Sequence, residues 1–512
     1  MLDEAPTGNF GTVHKETDHD VVIIGSGFGG IAMAHYLDEL GLSDFTLFEK
    51  ADTVGGTWRE NHYPGARCDV PAALYSLSYA PEWSWTSTYP LQPEILAYMQ
   101  RTAEREGVTL RTHFLTEIEH AEFDQDRGTW TVRDKEGNSK TCRVLISAVG
   151  QLNRPSEPEI KGRDTFTGSV FHSAEWRHDV DLTGKTVAVV GTGASAIQIV
   201  PAIAPDVEKV VLLQRSPAWV FCKDERDIPV SERLTYRANP DLMQKQREEL
   251  YEVFEENYDK YIAGTKLNIE FQEECYELIE RQIPDPVLRK KVTPDYTPGC
   301  KRILASNEWY STLARDNVAV VTAGLEAMDG DEIIDSDGGR HKVDVVVLAT
   351  GFKATEFLQP MTVKGLDGVD LHEAWQGEPE AYRGVSIPGF PNFFVMYGPN
   401  TNTHNSIIGM LEAQARYIAR KTRFVLDNPD QNLMVRRAAL EGFYEEMTPK
   451  FDKFSWSGAC QNWYRTESGR VINNWPDRTR AYFELMEAND DESYEIVPTL
   501  NASEPANCEP AE

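Results

Sequence analysis

Two glycine-rich turns, each between a buried strand and a helix, constrain the fold of this 512-residue chain more than any other feature. The first turn, Gly25-Ser-Gly27-Phe-Gly-Gly30, follows the apolar run at residues 20–24 and precedes a segment with helical spacing. In this pattern the first glycine allows a tight turn, the second lets the backbone approach a pyrophosphate, and the third lets helix and strand pack closely. The free N–H groups at the start of the helix then bind the anion. The segment therefore predicts a dinucleotide site.

The second turn, Gly191-Thr-Gly193-Ala-Ser195-Ala196, has the same context, because a buried strand at residues 185–190 precedes it and a helical segment follows. Alanine at the third glycine position is a tolerated variant. Two such units in one chain predict an α/β fold with two Rossmann-like dinucleotide-binding domains. Residues 223–296 are polar, with apolar residues at helical spacing, and they predict a helical insertion.

The residues at the end of the second strand of each unit distinguish the two dinucleotides. In the first unit this residue is Glu49, and a carboxylate at this place accepts hydrogen bonds from ribose hydroxyls. In the second unit the corresponding residues are Arg215 and Ser216. A carboxylate would repel a 2′-phosphate, whereas an arginine pairs with it through two hydrogen bonds and a serine adds a further one. We therefore predict FAD in the first unit and NADPH in the second.

The charge of the chain limits its partners. It has 51 basic and 82 acidic side chains, which give a net charge of −31. A surface this negative repels phosphate backbones and anionic lipids, so we expect neither nucleic acid nor membrane as a partner. No apolar stretch reaches the roughly 18–20 residues of a membrane span, and the N-terminal segment is polar, unlike a signal peptide. We therefore expect a cytoplasmic location.

Seven cysteines are scattered along the chain without C-x-x-C spacing, so we expect free thiols and no metal site. Two dinucleotide sites in one chain indicate that one cofactor delivers hydride and the other accepts it. This leaves flavin disulfide reductases and flavin monooxygenases, of which the reductases need a reactive cysteine pair near the flavin. The scattered cysteines favour the monooxygenases. An NADPH:acceptor reductase and a flavin-binding protein without turnover remain as alternatives.

The segment Phe166-Thr-Gly168-Ser-Val-Phe-His172-Ser-Ala-Glu-Trp176 lies just ahead of the second glycine turn. It matches the fingerprint F-x-G-x-x-x-H-x-x-x-W, through which the chain resembles the type I Baeyer–Villiger monooxygenases, which are class B flavin-dependent monooxygenases. The family usually has Pro or Asp after the tryptophan, where this chain has Arg177. Related flavin enzymes that oxygenate nitrogen or sulfur carry a similar segment. The position of the fingerprint beside an interdomain linker suits a hinge that transmits NADPH binding.

Further segments occur in the family's order along the chain, and the resemblance extends from about residue 20 to about residue 483. These segments are Gly55-Gly56-Thr57-Trp58, Tyr63-Pro-Gly65 followed by Asp69, Cys300-Lys301-Arg302, Ala349-Thr-Gly-Phe352 and Cys460-Gln-Asn-Trp463-Tyr464. The stretch at residues 398–405 is about one residue shorter than in the family, at the flavin or substrate edge.

The resemblance assigns roles to these residues. Arg302 would be the cation that stabilises a peroxide on the flavin C4a atom, and Asp69 would orient it. Lys301 would bind the NADPH phosphate together with Arg215, and Trp463 would lie at the nicotinamide and substrate pocket. Gly56, Thr57 and Trp58, with Asp69, would contact the cofactor.

The resemblance implies an enzyme that takes NADPH, O₂ and a ketone and gives an ester or lactone, NADP⁺ and water, through a C4a-peroxyflavin. Retained NADP⁺ would shield the peroxide from water. The same peroxide, when protonated, oxygenates thioethers and amines, so an N- or S-oxygenase is the alternative within the class.

The pattern of segments also predicts how the chain is divided into domains. The FAD-binding domain is discontinuous, the NADPH-binding domain is interrupted by the helical insertion, and the acidic C-terminal tail is expected to be disordered. The predicted ranges are 1–152 and 390–490 for FAD, 153–222 and 297–389 for NADPH, 223–296 for the insertion and 491–512 for the tail.

Overall fold

The computed structural model describes residues 17–499. In chain order its strands are β1 (His19–Ile24), β2 (Phe45–Phe48), β3 (Thr112–His113), β4 (Ile118–Asp124), β5 (Thr129–Asp134), β6 (Ser139–Ser147), β7 (Ser169–His172), β8 (Thr186–Val190), β9 (Lys209–Leu213), β10 (Val220–Phe221), β11 (Leu304–Ala305), β12 (Val318–Val321), β13 (Leu325–Asp329), β14 (Glu332–Asp335), β15 (Arg340–Lys342), β16 (Val345–Leu348), β17 (Thr362–Lys364), β18 (Phe393–Val395), β19 (Gln431–Val435) and β20 (Tyr494–Pro498).

The helices are α1 (Phe28–Glu39), α2 (Thr57–Glu60), α3 (Gln92–Arg105), α4 (Ala196–Ile203), α5 (Val230–Ala238), α6 (Pro240–Glu256), α7 (Lys266–Gln282), α8 (Pro286–Val292), α9 (Trp309–Leu313), α10 (Leu371–Trp375), α11 (Ile407–Asp427), α12 (Arg437–Phe451) and α13 (Thr479–Glu487). None of the helices in residues 17–499 combines the length and the apolar character that crossing a bilayer requires.

The first glycine turn belongs to an eight-stranded mixed sheet. Its strand order is β17-β4-β5-β6-β1-β2-β3, with β18 beside β6. β1 lies parallel to both β2 and β6, and β5 lies antiparallel to β4 and β6. Side chains on both faces of β1 are buried, because Ile23 packs into one hydrophobic core and Val22 into another. A strand covered on both faces explains the continuous apolar run in the sequence.

The second glycine turn belongs to a five-stranded parallel sheet with the order β12-β9-β8-β16-β7. Val189 and Ala188 of β8 are buried on opposite faces of this sheet. β13, β14 and β15 form a separate antiparallel sheet, and the side chains of Met328 and Ile333 pack against the face that includes Ala188. The predicted α/β class with two Rossmann-like units is confirmed.

The segment predicted as a helical insertion contains the helices α5 to α8. Two of its helices begin at residues that favour a helix N-terminus. The Thr265 side chain caps α7, and the Asp285 side chain, followed by a proline, caps α8. The insertion is fixed to the first domain by Glu255, a buried side chain of α6. This carboxylate accepts hydrogen bonds from the Asn405 side chain at 3.2 Å and from the backbone N–H of Thr479 at 3.1 Å.

The predicted boundary between residues 389 and 390 is wrong. β17 pairs in parallel with β4 of the first sheet, at Thr362 beside His120. Phe357, Trp375 and Ile387 pack into the core on that face of the first sheet. The chain therefore returns to the FAD unit about thirty residues earlier than predicted. Sequence patterns could not show this, because one short strand fits the edge of either sheet equally well.

The expected disorder from residue 491 is wrong for residues 491–498. β20 pairs antiparallel with β19, and Tyr494 opposite Val435 is buried. The Tyr494 hydroxyl lies 2.7 Å from the Ser386 hydroxyl and 2.8 Å from that of Tyr417. Residues 500–512, and the N-terminal sixteen residues, lie outside the described residues.

Candidate active site

A cavity of about 1030 Å³ extends between the two glycine turns. It brings together the residues that the sequence pattern and the family resemblance single out, although they come from distant parts of the chain. Its lining includes Gly25, Gly27, Glu49, Gly56, Thr57, Trp58, Asp69, Gly191, Gly193, Ser195, Arg215, Ser216, Lys301, Arg302 and Trp463. Gly30 has a packing role instead, because a Cβ atom there would lie 2.1 Å from the carbonyl oxygen of Gly25.

The first turn is shaped to let an anion approach the backbone. Gly25 has a φ of +103°, and a Cβ atom on it would lie 2.7 Å from the carbonyl oxygen of Ala148. Gly56 has a φ of +49°, and its Cβ atom would lie 3.1 Å from the Cα atom of Gly27. Two glycine backbones therefore face each other beside the start of α1, where only a residue without a side chain fits. This cradle fits the pyrophosphate of FAD.

Glu49 lies where the ribose of that dinucleotide is expected. One of its carboxylate oxygens accepts hydrogen bonds from the Ser26 backbone N–H and hydroxyl, both at 2.9 Å. The other accepts from the Ala51 N–H at 3.1 Å. These bonds fix the orientation of a carboxylate that is 6% exposed and lines the cavity. A carboxylate oxygen has further lone pairs, so the residue fits ribose hydroxyls.

The second turn opens on a cluster of cations. Gly191 has a φ of +115°, and a Cβ atom on it would lie 2.5 Å from the carbonyl oxygen of Ala349. Lys301 donates a hydrogen bond from Nζ to the Ser216 hydroxyl at 2.5 Å. Burial and the nearby charge of Arg215 lower the pKa of Lys301. Within residues 17–499 neither cation forms a salt bridge. Two cations beside a serine hydroxyl, without a paired carboxylate, fit a 2′-phosphate.

Arg302 and Asp69 form an ion pair in the cavity lining, with Nη2 to Oδ2 at 2.6 Å. Burial opposes ionisation of Asp69, but the charge and hydrogen bond of Arg302 outweigh it and lower the pKa of this carboxyl. Asp69 in turn raises the pKa of Arg302. The pair therefore stays ionised, as a fixed cation with a fixed counter-charge.

The expectation that all cysteines are free thiols is wrong. Cys300 and Cys460 form a disulfide, with their Cα atoms 6.2 Å apart. The bridge joins the segment that carries Lys301 and Arg302 to the segment that carries Trp463. In the described part of the chain, Cys68, Cys142 and Cys275 are buried thiols and Cys222 is an exposed one, while Cys508 lies outside the described residues. A separation of 160 residues gave no local signal of the pair.

Trp463 lines the cavity at the end of this bridged segment. Its ring lies against that of Tyr464, with centroids 4.4 Å apart. The Asn473 side chain donates a hydrogen bond to the Trp463 carbonyl oxygen at 3.0 Å, and the Asn462 side chain donates to the Cys300 carbonyl oxygen at the same distance. The disulfide and these bonds hold the segment that places the indole in the cavity lining.

The sequence is similar to known flavin enzymes over almost its whole length. The model of the flavin-binding monooxygenase-like family matches residues 18–452. A Baeyer–Villiger monooxygenase of Pseudomonas aeruginosa is 40% identical over 490 residues, which cover 94% of this chain and 92% of that protein. A Baeyer–Villiger monooxygenase of Streptomyces coelicolor is 40% identical over 481 residues, covering 93% and 92%. The chain belongs to the Baeyer–Villiger monooxygenases of this family.

Solved structures agree with this assignment. An oxidised steroid monooxygenase bound to NADP has a TM-score of 0.83 at 30% identity, covering 93% of this chain and 99% of that one. The monooxygenase OTEMO in complex with FAD and NADP has a TM-score of 0.84 at 29% identity, covering 94% and 100%. The predicted enzyme class, a monooxygenase that depends on FAD and NADPH, is confirmed.

In this monooxygenase the fingerprint segment lies at the edge of the NADPH sheet, where β7 pairs with β16. A Cβ atom on Gly168 would lie 2.2 Å from the carbonyl oxygen of Asp344, so the glycine lets the strand pack there. His172 is fully buried, and its ring lies 5.7 Å from that of Phe352, which follows β16. Trp176 packs on the Phe171 ring at 5.2 Å, and Phe166 packs against the core of the sheet. The hinge role of the fingerprint stays a prediction.

Arg177, where the sequence departs from the family pattern, lies on the surface of the monooxygenase. Its guanidinium pairs with Asp179, with Nη2 to Oδ2 at 2.5 Å. The buried residues of the fingerprint, His172 and Trp176, keep their packing beside it. The departure therefore changes a surface ion pair and leaves the core of the segment intact.

Several cavity residues of the monooxygenase escaped the sequence analysis. The Gln151 side chain donates hydrogen bonds to the carbonyl oxygens of Tyr397 at 2.9 Å and Gly398 at 3.2 Å. Gln151 follows the carboxyl end of β6, where ligands bind in such sheets, and this position was an available signal. Tyr397 and Gln198 are two further examples, and neither belongs to the motifs quoted from the sequence.

Proposed function

We propose that this monooxygenase inserts one oxygen atom of O₂ next to the carbonyl of a small ketone, giving an ester or lactone. The observation that supports the proposal is the Arg302–Asp69 ion pair, 2.6 Å across, in a cavity lined by both glycine turns. When bound, FAD supplies the chemistry that activates oxygen and NADPH supplies the hydride. The protein binds the two cofactors, orients them and protects the reaction from water.

Arg302 is the catalytic cation. It holds a positive charge toward the place where negative charge develops, and Asp69 prevents the guanidinium from turning away. A fixed cation in a water-poor cavity stabilises charge more than a mobile one, because it needs no reorganisation during the reaction. The phenol rings of Tyr261 and Tyr464 lie near this guanidinium and contribute to its electrostatic surroundings. Burial raises the pKa of both phenols, so they stay neutral.

Lys301, Arg215 and Ser216 bind the 2′-phosphate of NADPH, and the turn from Gly191 to Ser195 binds its pyrophosphate. A dinucleotide held by these residues would lie along the second unit, whose turn lines the same cavity as Arg302. Trp463 covers the same region and excludes water. The disulfide from Cys300 to Cys460 keeps this indole close to the catalytic pair.

The experiment that tests the proposal compares Arg302→Ala with Arg302→Lys on a panel of cyclic, linear and aromatic ketones plus one thioether. Removing the cation lowers ester formation about 10²–10³-fold, the usual loss for one electrostatic stabiliser, while NADPH still reduces the flavin. Arg302→Lys retains the charge without the two-pronged geometry and loses less. Product analysis separates ester from sulfoxide. Undiminished ester formation in Arg302→Ala contradicts the catalytic role, and products from the thioether alone point to S-oxygenation.

We further propose a cytoplasmic location. Four of the six cysteines in the described residues support it as free thiols, whereas the Cys300–Cys460 disulfide is of a kind that reducing compartments rarely keep. Fractionation of the producing cells, with detection of the protein in each fraction, tests the location. Recovery mainly outside the cytoplasmic fraction contradicts it.

A further inference from the structure

One loop of the FAD unit is packed into the NADPH unit. This loop, residues 61–69, ends at Asp69 and is called the Asp69 loop below. Tyr63 and Ala66 are buried among the core side chains of the NADPH unit rather than those of their own. Gly65 has a φ of +80°, and a Cβ atom there would lie 2.6 Å from the carbonyl oxygen of Gln198. The Asp69 loop therefore lies directly on α4.

The side chain of Gln198, in the first turn of α4, makes three hydrogen bonds to this loop. Its Oε1 atom accepts from the Tyr63 hydroxyl at 3.0 Å and from the Arg67 backbone N–H at 3.4 Å. Its Nε2 atom donates to the Arg67 carbonyl oxygen at 3.0 Å. One amide side chain thus satisfies both polar groups of the Arg67 backbone, two residues before Asp69.

The other end of this contact is the second glycine turn. Ser195, which precedes α4, lines the cavity where NADPH is proposed to bind, and Gln198 lies one turn of helix further on. Burial raises the pKa of Tyr63, and the nearby Ser195 side chain opposes this effect. The residues that receive the dinucleotide are therefore linked, through Gln198 and Arg67, to the carboxylate that holds Arg302.

The Arg67 side chain anchors the same loop on its far side. Its guanidinium pairs with Glu225, and Glu225 also pairs with the Lys223 ammonium group at 3.2 Å. The Lys223 side chain is 3% exposed, and its charge helps to lower the pKa of Asp69, after the larger influence of Arg302. The side chain and the backbone of Arg67 are therefore held by different partners, the side chain by Glu225 and the backbone by Gln198.

We propose that Gln198 is a positioning residue, which couples occupation of the NADPH site to the placement of Asp69 and hence of the Arg302 guanidinium. The inference rests on the proposed roles of Arg302 and Asp69. A ligand at the second glycine turn favours one position of α4, and Gln198 transfers that position to the Asp69 loop. Occupation of the NADPH site then stabilises this placement of the catalytic cation, which links oxygen insertion to cofactor retention.

The test uses the purified holoenzyme and the variant Gln198→Leu, which retains the side-chain size and removes all three hydrogen bonds. We expect FAD content and the rate of flavin reduction by NADPH to stay within about twofold of the parent. We expect the ester formed per NADPH consumed to fall about fivefold, which lies within the range measured for residues along a coupling network. The NADPH that no longer gives ester should appear as hydrogen peroxide. Gln272→Leu removes a partly exposed glutamine of α7, whose side chain bonds Tyr276 alone within residues 17–499, and serves as the control without effect.

Two milder variants keep the test sharp if Gln198→Leu does not fold. Gln198→Glu retains the acceptor for Tyr63 and Arg67 but cannot donate to the Arg67 carbonyl, so its loss of coupling is smaller. Tyr63→Phe removes one of the three hydrogen bonds. The double variant Tyr63→Phe/Gln198→Glu should lose less ester per NADPH than the two single losses added together, because both residues act through the same contact.

Two results overturn the inference. Normal ester yield per NADPH in Gln198→Leu shows that the hydrogen bonds do not position the pair. A flavin-reduction rate that falls in parallel with ester formation shows instead that Gln198 serves NADPH binding. The roles of Asp69 and Arg302 are checked separately by Asp69→Asn, because full ester formation in that variant contradicts the proposed function itself.

Discussion

Gly29 and Gly30 of the first turn show how much one added methyl group matters. A Cβ atom on Gly30 would lie 2.1 Å from the Gly25 carbonyl oxygen, whereas one on Gly29 would make an ordinary contact at 3.5 Å with the Ala148 side chain. Gly30→Ala forces the turn away from α1, so we expect loss of bound FAD and a decrease of about 1–3 kcal/mol in the free energy of unfolding. Flavin absorbance per protein and chemical denaturation measure both effects.

Gly29→Ala is the matched control for this prediction. It adds the same methyl group to the preceding residue of the same helix, where alanine is intrinsically favoured over glycine. We expect it to retain FAD. Equal flavin loss in the two variants would show that the close approach at Gly30 does not shape the site.

The lowered pKa of Lys301 predicts how the use of NADPH depends on pH. Burial and the charge of Arg215 both favour the neutral amine, so Lys301 loses its proton at a lower pH than an ordinary lysine. As pH rises through that lowered pKa, the phosphate loses one of its cations and kcat/KM for NADPH falls. Lys301→Arg keeps its charge over this range and lacks this decrease.

NADH provides the control for the Lys301 prediction, because it has no 2′-phosphate. Its kcat/KM should not show the decrease that depends on Lys301. Steady-state rates from about pH 7 to 10 with both cofactors, in the parent and in Lys301→Arg, measure the difference. A decrease of the same size with NADH, or in Lys301→Arg, would assign the titration to another group.

Residues whose role depends on nearby sequence were predictable. A fixed place in or after a glycine turn was enough to identify Gly25, Gly191, Glu49 and Arg215. Gln198 stands just as close to such a turn, but its partners are about 130 residues away in sequence. Cys300 and Cys460 are likewise brought together only by the folded chain. Local patterns report phosphate contacts, whereas contacts between units depend on the tertiary structure.

At the scale of elements, β20 connects the C-terminal segment to the core. Tyr494 buries its ring and places its hydroxyl near those of Ser386 and Tyr417, while Ile496 of the same strand is 43% exposed. Tyr494→Phe removes the hydroxyl and leaves two buried partners short of a hydrogen bond. We expect the free energy of unfolding to fall by about 1–3 kcal/mol.

Ile496→Thr is the control in the same strand, because it alters an exposed side chain and keeps a β-branched residue. Its expected effect is within about 0.5 kcal/mol. Urea denaturation followed by far-UV circular dichroism gives both values. A Tyr494→Phe variant as stable as Ile496→Thr would show that β20 contributes little to the fold.

The strands of the two glycine units could be read from their apolar runs, but β17 and β20 could not. Both are short, and β20 stands in an acidic, proline-containing segment whose composition is typical of disorder. What makes β20 a strand is its pairing with β19, about sixty residues earlier. Composition describes a segment alone, so it misses strands that depend on a distant partner.

At the scale of the whole molecule, the net charge of −31 acts against both compactness and the binding of an anionic cofactor. Salt screens the repulsion among exposed carboxylates, so the folded state gains stability as ionic strength rises. Between 20 mM and 300 mM NaCl we expect Tm to rise by about 2–4 °C, the shift that about 1 kcal/mol produces in domains of 150–250 residues.

The same screening weakens the attraction between Arg215, Lys301 and a 2′-phosphate, so the KM for NADPH rises over that salt range while the KM for NADH changes less. Differential scanning fluorimetry and initial rates measure the two trends on one preparation. A Tm that falls with NaCl would contradict the role of charge repulsion in stability.

The chain leaves the first sheet after β6, forms the second sheet and then returns to the first sheet, and this order has a consequence for its synthesis. The last residues of β6 gain their partner on one side only from β18, at Leu145 beside Phe393. Since β6 ends at residue 147 and β18 begins at residue 393, 245 residues intervene. At roughly 5–20 residues per second a ribosome needs about 12–50 s to supply them. Throughout that time a nascent chain presents an apolar strand edge, which invites pairing with other chains. Translation speed and chaperone supply, rather than the stability of the finished enzyme, then govern how much folded protein a cell obtains.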